Sequence, residues 1–310
     1  RPPPPMLEKS KKWIASLGKL NPAISRRKLN GQARFAPHKP LFLLCLLDLA
    51  ESGELKSPEL GKTPELSLRF DSYWALVQER WGGRPGLGQP FHYLSNQGFW
   101  SVLCDDGRPS RSHHTTDRIK LDPDFFACLQ DKDFRKAARW QLIRTWFPEP
   151  DQKALLAALG ISKGEARKQE FKIREESPEY EAKGRDARFR VIVVTQYRFT
   201  CALTGYGVHT RRGSSIVEAA HIHQFSKSRN DNPDNGLALT RDAHWMLDEG
   251  LWTVDPRNRI LVAHEVFTEW GPDARWLKSR HGKKLHFLDG VALRPATQHL
   301  AWHRTNVFAG

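Results

Sequence analysis

The chain has 310 residues, 39% of them hydrophobic and 27% charged, a globular composition with room for two domains. No apolar run approaches the roughly 18 residues that cross a bilayer, and no basic segment followed by an apolar core reads as a secretory signal. The formal net charge of +14 favours a polyanionic partner, nucleic acid before an acidic membrane surface, because no basic helix carries a lipid-facing stripe. Cys45, Cys104, Cys128 and Cys201 are scattered and form no CxxC pair, which excludes a structural zinc ribbon and argues for reduced thiols in a cytoplasmic protein.

In chain order, RPPPP reads as an extended lead-in, and residues 6–18 as an amphipathic helix ended by Gly18. LNPAISRRKLNGQARFAPHKP is basic and irregular, with Arg26, Arg27, Lys28 and Arg34 set among Asn and Gly turn signals. PLFLLCLLDLAESG is a helix with Pro40 in its first turn and Gly53 at its stop. It is apolar nearly all round, so it belongs at the centre of its domain. LSLRF alternates as a short strand, DSYWALVQERWGG is a second amphipathic helix, and FHYLSNQGFWSVL reads as two strand-like pieces around an Asn-Gln-Gly turn. DPDFFACLQD, with Asp122 as start signal, and KDFRKAARWQLIRTWF are further helices. WFPEPDQ breaks the pattern and puts a boundary near residue 150. Residues 151–182 read as a charged, partly helical linker, and RDARFRVIVVTQYRFT as a helix leading into the last domain. Near its end, LWTVDPRNRILVA reads as a β-hairpin turning at DPRN.

Between that helix and that hairpin lies a constellation with chemistry in it. His221 closes a strand-like run (SSIVEAAHI). Asn235 follows fourteen residues later in a turn (DNPDNG), and His244 nine residues after that on a short helix (RDAHWMLDEG) that Asp242 is placed to help start. Asp248, four residues beyond His244, shares its helical face. Phosphodiester hydrolysis needs a nucleophilic water, charge stabilisation at phosphorus and help for the leaving oxygen. A neutral imidazole can take a proton from water near pH 7.

This order, with CALTG, EAAHI, NGLAL and H-x-x-L-D-x-G around it, resembles the HNH motif of ββα-metal (His-Me finger) restriction endonucleases over residues 186–265. The resemblance implies His221 as general base, Asn235 as the residue tying the loop to the base strand, and His244 as ligand of a divalent ion, Mg²⁺ or Mn²⁺. Asp248 would be a second ligand or an orienting partner. Many such sites carry His or Asp immediately before the base; here that position is Ala220. Glu218, two residues earlier and on the same pleated face, is the nearest carboxylate on the strand. Either Glu218 completes the metal shell, or His244 and Asp248 hold the ion with water. His223 reads as a loop or DNA-facing residue and Cys201 as small core.

APHKPLFLLCLLDL and QPFHYLSNQGFW resemble the N-terminal domain of modification-dependent (type IV) restriction enzymes, including the sulfur-binding domain that reads phosphorothioate DNA, over residues 25–105. The resemblance implies a pocket from His38, Lys39 and Pro40 and a loop of Gln89, Pro90, Phe91, His92 and Tyr93. Sulfur in place of a phosphate oxygen keeps the charge but is larger and less well hydrated, so apolar walls with one nearby cation favour it. Gln89 and Tyr93 depart from the sulfur-reader pattern, which has Tyr before the loop Pro and a small residue near the loop end. Arg26, Arg27, Lys28 and Arg34 are candidate phosphate contacts, giving affinity without specificity.

The expected fold is therefore α+β: a mainly helical DNA-recognition domain with a short β element over residues 1–150, and a ββα-metal HNH domain over residues 183–310. The expected function is metal-dependent cleavage of double-stranded DNA near a phosphorothioate-modified site, leaving 5′-phosphate and 3′-hydroxyl ends. Double-strand cutting with one site per chain suggests a homodimer. Alternatives are an HNH endonuclease reading methylated cytosine or an unmodified sequence, and a DNA-binding protein with an inactive centre.

Overall fold

The computed structural model describes residues 5–29, 32–82, 84–168, 178–210, 213–287 and 294–310; most of the RPPPP lead-in lies outside them. Helices and small sheets mix in two compact units, Arg1–Arg188 with Arg211–Gly213, and Phe189–Thr210 with Ser214–Gly310. None of the described helices is long and apolar enough to cross a membrane.

The first unit opens with α1 (Pro5–Leu17), the antiparallel strands β1 (Ile24–Leu29) and β2 (Gln32–Phe35), and α2 (His38–Glu51). The stretch expected to be irregular is thus a hairpin in its backbone; the side chains of Arg26, Arg27, Lys28 and Arg34 lie outside the described residues. Helix α2 is the central element, buried from Pro40 to Ala50 apart from Asp48, as an all-round apolar helix must be. Next come β3 (Glu59–Gly61), α3 (Pro64–Trp81) and α4 (Gly88–Tyr93). LSLRF lies inside α3 and is not a strand: the Thr63 hydroxyl caps Leu66 N–H, Pro64 occupies the first turn, and Leu66, Phe70, Trp74 and Val77 form one buried face. FHY likewise ends α4, where Pro90 sits in a first turn that needs no N–H donor from it; Trp100 Nε1 holds the Phe91 carbonyl at 2.9 Å.

β4 (Trp100–Leu103) and β5 (Arg118–Leu121) complete a three-stranded antiparallel sheet of order β3-β5-β4. Helices α5 (Pro123–Gln130), α6 (Lys132–Trp146), α7 (Glu149–Ala158) and α8 (Lys163–Lys168) follow, with Asp122 capping α5 through the N–H groups of Asp124 and Phe125. The residues expected to begin a charged, partly helical linker are helical and packed: α7 buries Ala154, Leu155, Leu156 and Ala158, and its buried Asp151 accepts from Arg80 Nε at 2.6 Å.

Helix α9 (Pro178–Gln196) crosses the division between the units. The second unit then builds β6 (Val217–His221), the single-turn α10 (Phe225–Ser228), β7 (Gly236–Thr240), α11 (Arg241–Asp248), the hairpin β8 (Trp252–Val254) and β9 (Ile260–Val262), and α12 (Thr297–Asn306). β6 and β7 pair antiparallel, and α11 leaves β7 with no intervening loop. Thr240 is the N-cap residue of α11, and Asp242 lies in its first turn. Leu237, Leu239, Ala243, Leu247 and Trp252 pack against Phe189 and Val193 of α9 in one apolar core. Trp252 Nε1 donates to the Ala243 carbonyl at 3.1 Å, which fixes α11 on the hairpin.

Candidate active site

The strand register sets the positions of the functional side chains. Glu218 lies opposite Leu239, Ala220 opposite Leu237, and His221 opposite Gly236. A Cβ on Gly236 would meet Val193 Cγ2 at 2.5 Å and the Phe189 ring at 2.9 Å, so only glycine lets α9 approach here. The approach matters because Phe189 is the floor of the site: its ring stacks on the His221 imidazole with centroids 3.9 Å apart and planes 8° from parallel.

One edge of His221 is also fixed. Its Nε2 lies 3.0 Å from Asp231 Oδ1, and the Asp231 side chain is only 4% exposed. A carboxylate can only accept, so Nε2 carries the hydrogen and Nδ1 keeps a lone pair. Asn235 is fully buried and closes the loop that carries Asp231: its Oδ1 accepts from His223 N–H at 2.8 Å, and its Nδ2 donates to the carbonyls of His223 and Asn230, each at 3.0 Å. Its own carbonyl accepts from Ile222 N–H at 2.9 Å, next to the base strand. His223 packs flat on Trp302 at 3.8 Å, so its ring is part of the packing.

On α11, His244 is hydrogen-bonded at Nδ1 and has a second carboxylate near Nε2. Nδ1 lies 2.8 Å from Glu218 Oε1, and Nε2 lies 3.4 Å from Asp248 Oδ2, one helical turn away. The second oxygen of Glu218 faces Arg241 Nε at 3.5 Å. Burial pushes the Asp248 carboxyl up, while the nearby imidazoles of His244 and His221 pull it down. Asp248 therefore senses both histidines across the site.

These donors do not form a three-ligand cage, and no such cluster exists among the described residues. Glu218 and Asp248 lie at opposite nitrogens of one imidazole, so one ion cannot take both with His244. The Glu218 contact fixes the proton on Nδ1, which leaves the Nε2 lone pair beside Asp248. A metal-binding histidine commonly donates its other N–H to a carboxylate in this way. His244 Nε2 with Asp248 fits a divalent ion that completes its shell with water and phosphate oxygens, and Glu218 fits as the orienting carboxylate. Of the two shells open from the sequence, the contacts favour the one without Glu218. Ala220 is fully buried and contributes no ligand.

A model of the HNH endonuclease family matches residues 201–255, the segment that spans β6, β7 and α11. The second unit carries an HNH endonuclease domain. The matched segment is less than half of the chain. No curated protein matches it. Among solved structures, a modification dependent TagI restriction endonuclease is similar at 17% identity with a TM-score of 0.31, over 39% of this chain and 38% of that one. Asp231 and Phe189, which hold the HNH-domain histidine at its edge and from below, are not singled out by the sequence. Asp231 is one of two aspartates in NDNPDN, and Phe189 lies far upstream on a charged helix.

In the first unit, His38 begins α2 with its ring 4.5 Å from that of Trp74, and Gly86 approaches the same imidazole. Burial lowers the His38 pKa. Lys39 Nζ donates to the Asn21 carbonyl at 2.5 Å and to Gln97 Oε1 at 3.2 Å, and burial lowers its pKa too. Pro40, Pro90, Phe91 and His92 are buried in the packing of the first unit. The Nδ1 of His92 pairs with Thr116 Oγ1 at 2.6 Å, inside the fold. Gln89 and Tyr93 are exposed.

Proposed function

We propose that the chain is a metal-dependent DNA restriction endonuclease whose cleavage is directed by a modified, phosphorothioate-bearing site. The observation that carries the nuclease chemistry is the pair of oppositely arranged imidazoles, His221 with a free Nδ1 and His244 with a free Nε2. His221 Nδ1 takes a proton from water as the oxygen attacks phosphorus, and Asp231 offsets the positive charge that the ring gains. Asn235 keeps Asp231 and the strand end in register. A divalent ion, Mg²⁺ or Mn²⁺, when bound would neutralise charge on the phosphate and polarise the leaving 3′ oxygen. His244 Nε2 and Asp248 would hold it, and Glu218 would keep the His244 ring turned toward it. The products are 5′-phosphate and 3′-hydroxyl ends. The net charge of +14 suits a DNA partner in the cytoplasm, and two chains would supply the two cuts of a duplex.

The phosphorothioate reading rests on the first unit. The His38 ring, packed on Trp74, would supply an apolar surface and Lys39, the next residue in the chain, a cation; an apolar wall with one cation is the combination that favours sulfur over oxygen.

The test is cleavage of duplex DNA with Mn²⁺ by the full chain and by His221→Ala. The variant should lose roughly a thousandfold in rate while its affinity for duplex stays within about twofold. A wild-type chain that cuts no duplex, modified or not, would leave a DNA-binding protein with an inactive centre. For specificity, the His221→Ala chain is titrated with matched duplexes that are unmodified, Rp-phosphorothioated or 5-methylated at cytosine. Preference for the phosphorothioate, weakened selectively by His38→Ala or Lys39→Ala, is the expected result. Preference for the methylated duplex, or equal affinity for all three, overturns the sulfur reading.

A further inference from the structure

Glu218 uses one carboxylate oxygen for His244 and the other for Arg241. Arg241 in turn lines a cleft of about 660 Å³, together with Tyr206, Ile216, Trp276 and Arg280. The cleft lies wholly within the second unit and begins one side chain away from the candidate metal ligand. Its chemistry is mixed in an informative way. Tyr206 and Ile216, which both line it, are 58% and 42% exposed. Arg280 lies over the Trp276 ring at 4.4 Å and donates from Nη1 to the Leu203 carbonyl at 3.2 Å. Its Nε is buried with no hydrogen-bond partner among the described residues. Burial lowers the Arg280 pKa, so its charge sits where water solvates it poorly. The Arg241 side chain is 89% exposed. Thr240, Arg241 and the exposed Asp242 bring the start of α11 to the same cleft, and the Thr240 side chain does not cap that helix. Two guanidiniums, an orphan N–H donor and an apolar wall fit a ligand with an anionic group joined to an apolar body.

We propose that this cleft is a subsite for the DNA backbone beside the scissile phosphate. One non-scissile phosphate lies between Arg241 and Arg280, and its sugar lies against Tyr206 and Ile216. This deepens the nuclease reading and rests on it. A guanidinium pairs with phosphate through charge-assisted, often bidentate hydrogen bonds, and such contacts fix register on the duplex without reading bases. The link through Arg241 and Glu218 means that the strand seated here also touches the group that orients His244.

The experiment is a salt titration of duplex affinity by fluorescence anisotropy, using the full-length His221→Ala chain as parent. Each neutralised phosphate contributes about 0.9 to the slope of log K against log salt. Arg241→Ala in the parent should weaken binding about tenfold and lower the slope by about 1. Tyr206→Ala should weaken binding about threefold to tenfold at unchanged slope, and Tyr206→Phe should restore it. Arg280→Ala should lower the slope as Arg241→Ala does, whereas Arg280→Lys should keep the parental slope. Retention of charge in the lysine variant separates a lost phosphate contact from a disturbed fold. Unchanged slope and affinity in Arg241→Ala, with a parent that binds, overturns the subsite alone. A parent that binds no duplex at any salt overturns the subsite and the nuclease reading together.

Discussion

The end of β6 and the face of α11 each present a histidine to the same site, but the two regions are built on opposite plans. His221 is gripped from one side: Phe189 stacks on its ring, a nearly buried Asp231 holds Nε2, and Nδ1 is left with its lone pair. His244 stands between two half-exposed carboxylates, with Glu218 at Nδ1 and Asp248 at Nε2. In the proposed mechanism one side-chain type thereby serves two roles. A base must keep one nitrogen clear for water and be held rigidly by the rest of its ring. A metal ligand must keep one nitrogen beside further anionic oxygen and have the other pinned. The partners set the tautomer, and the tautomer sets the role.

The largest effects come from breaking this arrangement at its charged partners. Asp231→Asn keeps a group that can accept from Nε2 but removes the charge that offsets the imidazolium. It should lower kcat about a hundredfold with little change in KM, and Asp231→Glu should recover part of the loss. Equal losses in Asp231→Asn and in an unfolded-like circular dichroism signal would mark Asp231 as structural only. Asp248→Ala should raise the half-saturating Mn²⁺ concentration about 10- to 100-fold, since it removes an ion-facing oxygen. Glu218→Gln should do so only about tenfold or less, because an amide oxygen still accepts from Nδ1. A larger effect at Glu218 than at Asp248 would make Glu218 the ligand and Asp248 the orienting group.

How much of this was legible in the sequence follows from the range of each interaction. The β6–β7–α11 module was readable because its signals are local: an alternating run ending in His221, a turn at Asn235, and a helical spacing from His244 to Asp248. Asp231 was not readable, since nothing in NDNPDN distinguishes the aspartate that pairs with His221 Nε2 from Asp234. Phe189 acts through a close approach that Gly236 permits, a relation between residues far apart in sequence. In the first unit, five alternating residues in LSLRF were too few to outweigh the Thr63–Pro64 helix start, and the buried face of α3 emerged only at helical spacing. FHYL misled in the same way, because a short apolar run has no period of its own.

A third histidine sharpens the comparison and carries the smallest effect at neutral pH. His303 on α12 is buried with both nitrogens in neutral partnerships: Nδ1 accepts from the Thr253 hydroxyl at 2.8 Å, and Nε2 donates to the Leu247 carbonyl at 3.1 Å. Burial, ahead of the other influences, pushes its pKa down from 6.5 to about 4. The folded state therefore disfavours the proton that the unfolded chain accepts. Stability from this group is complete above about pH 6.5 and is lost as pH falls toward 4, by about 3 kcal/mol at most. The urea midpoint of the second unit should fall across that window in the wild type, and His303→Gln should flatten the dependence. An identical fall in the variant would assign the acid sensitivity to other groups.

Whether the two site histidines carry opposite tautomers, with only one meeting the metal, is read by ¹⁵N NMR of their imidazoles at neutral pH. The signals are assigned with His221→Gln and His244→Gln and followed while a diamagnetic ion such as Zn²⁺ is added. The expected result is the Nε2–H form for His221 and the Nδ1–H form for His244, with the ion shifting Nε2 of His244 and leaving His221 in place. An Nδ1–H form at His221, or an ion that moves His221 in preference to His244, would contradict it.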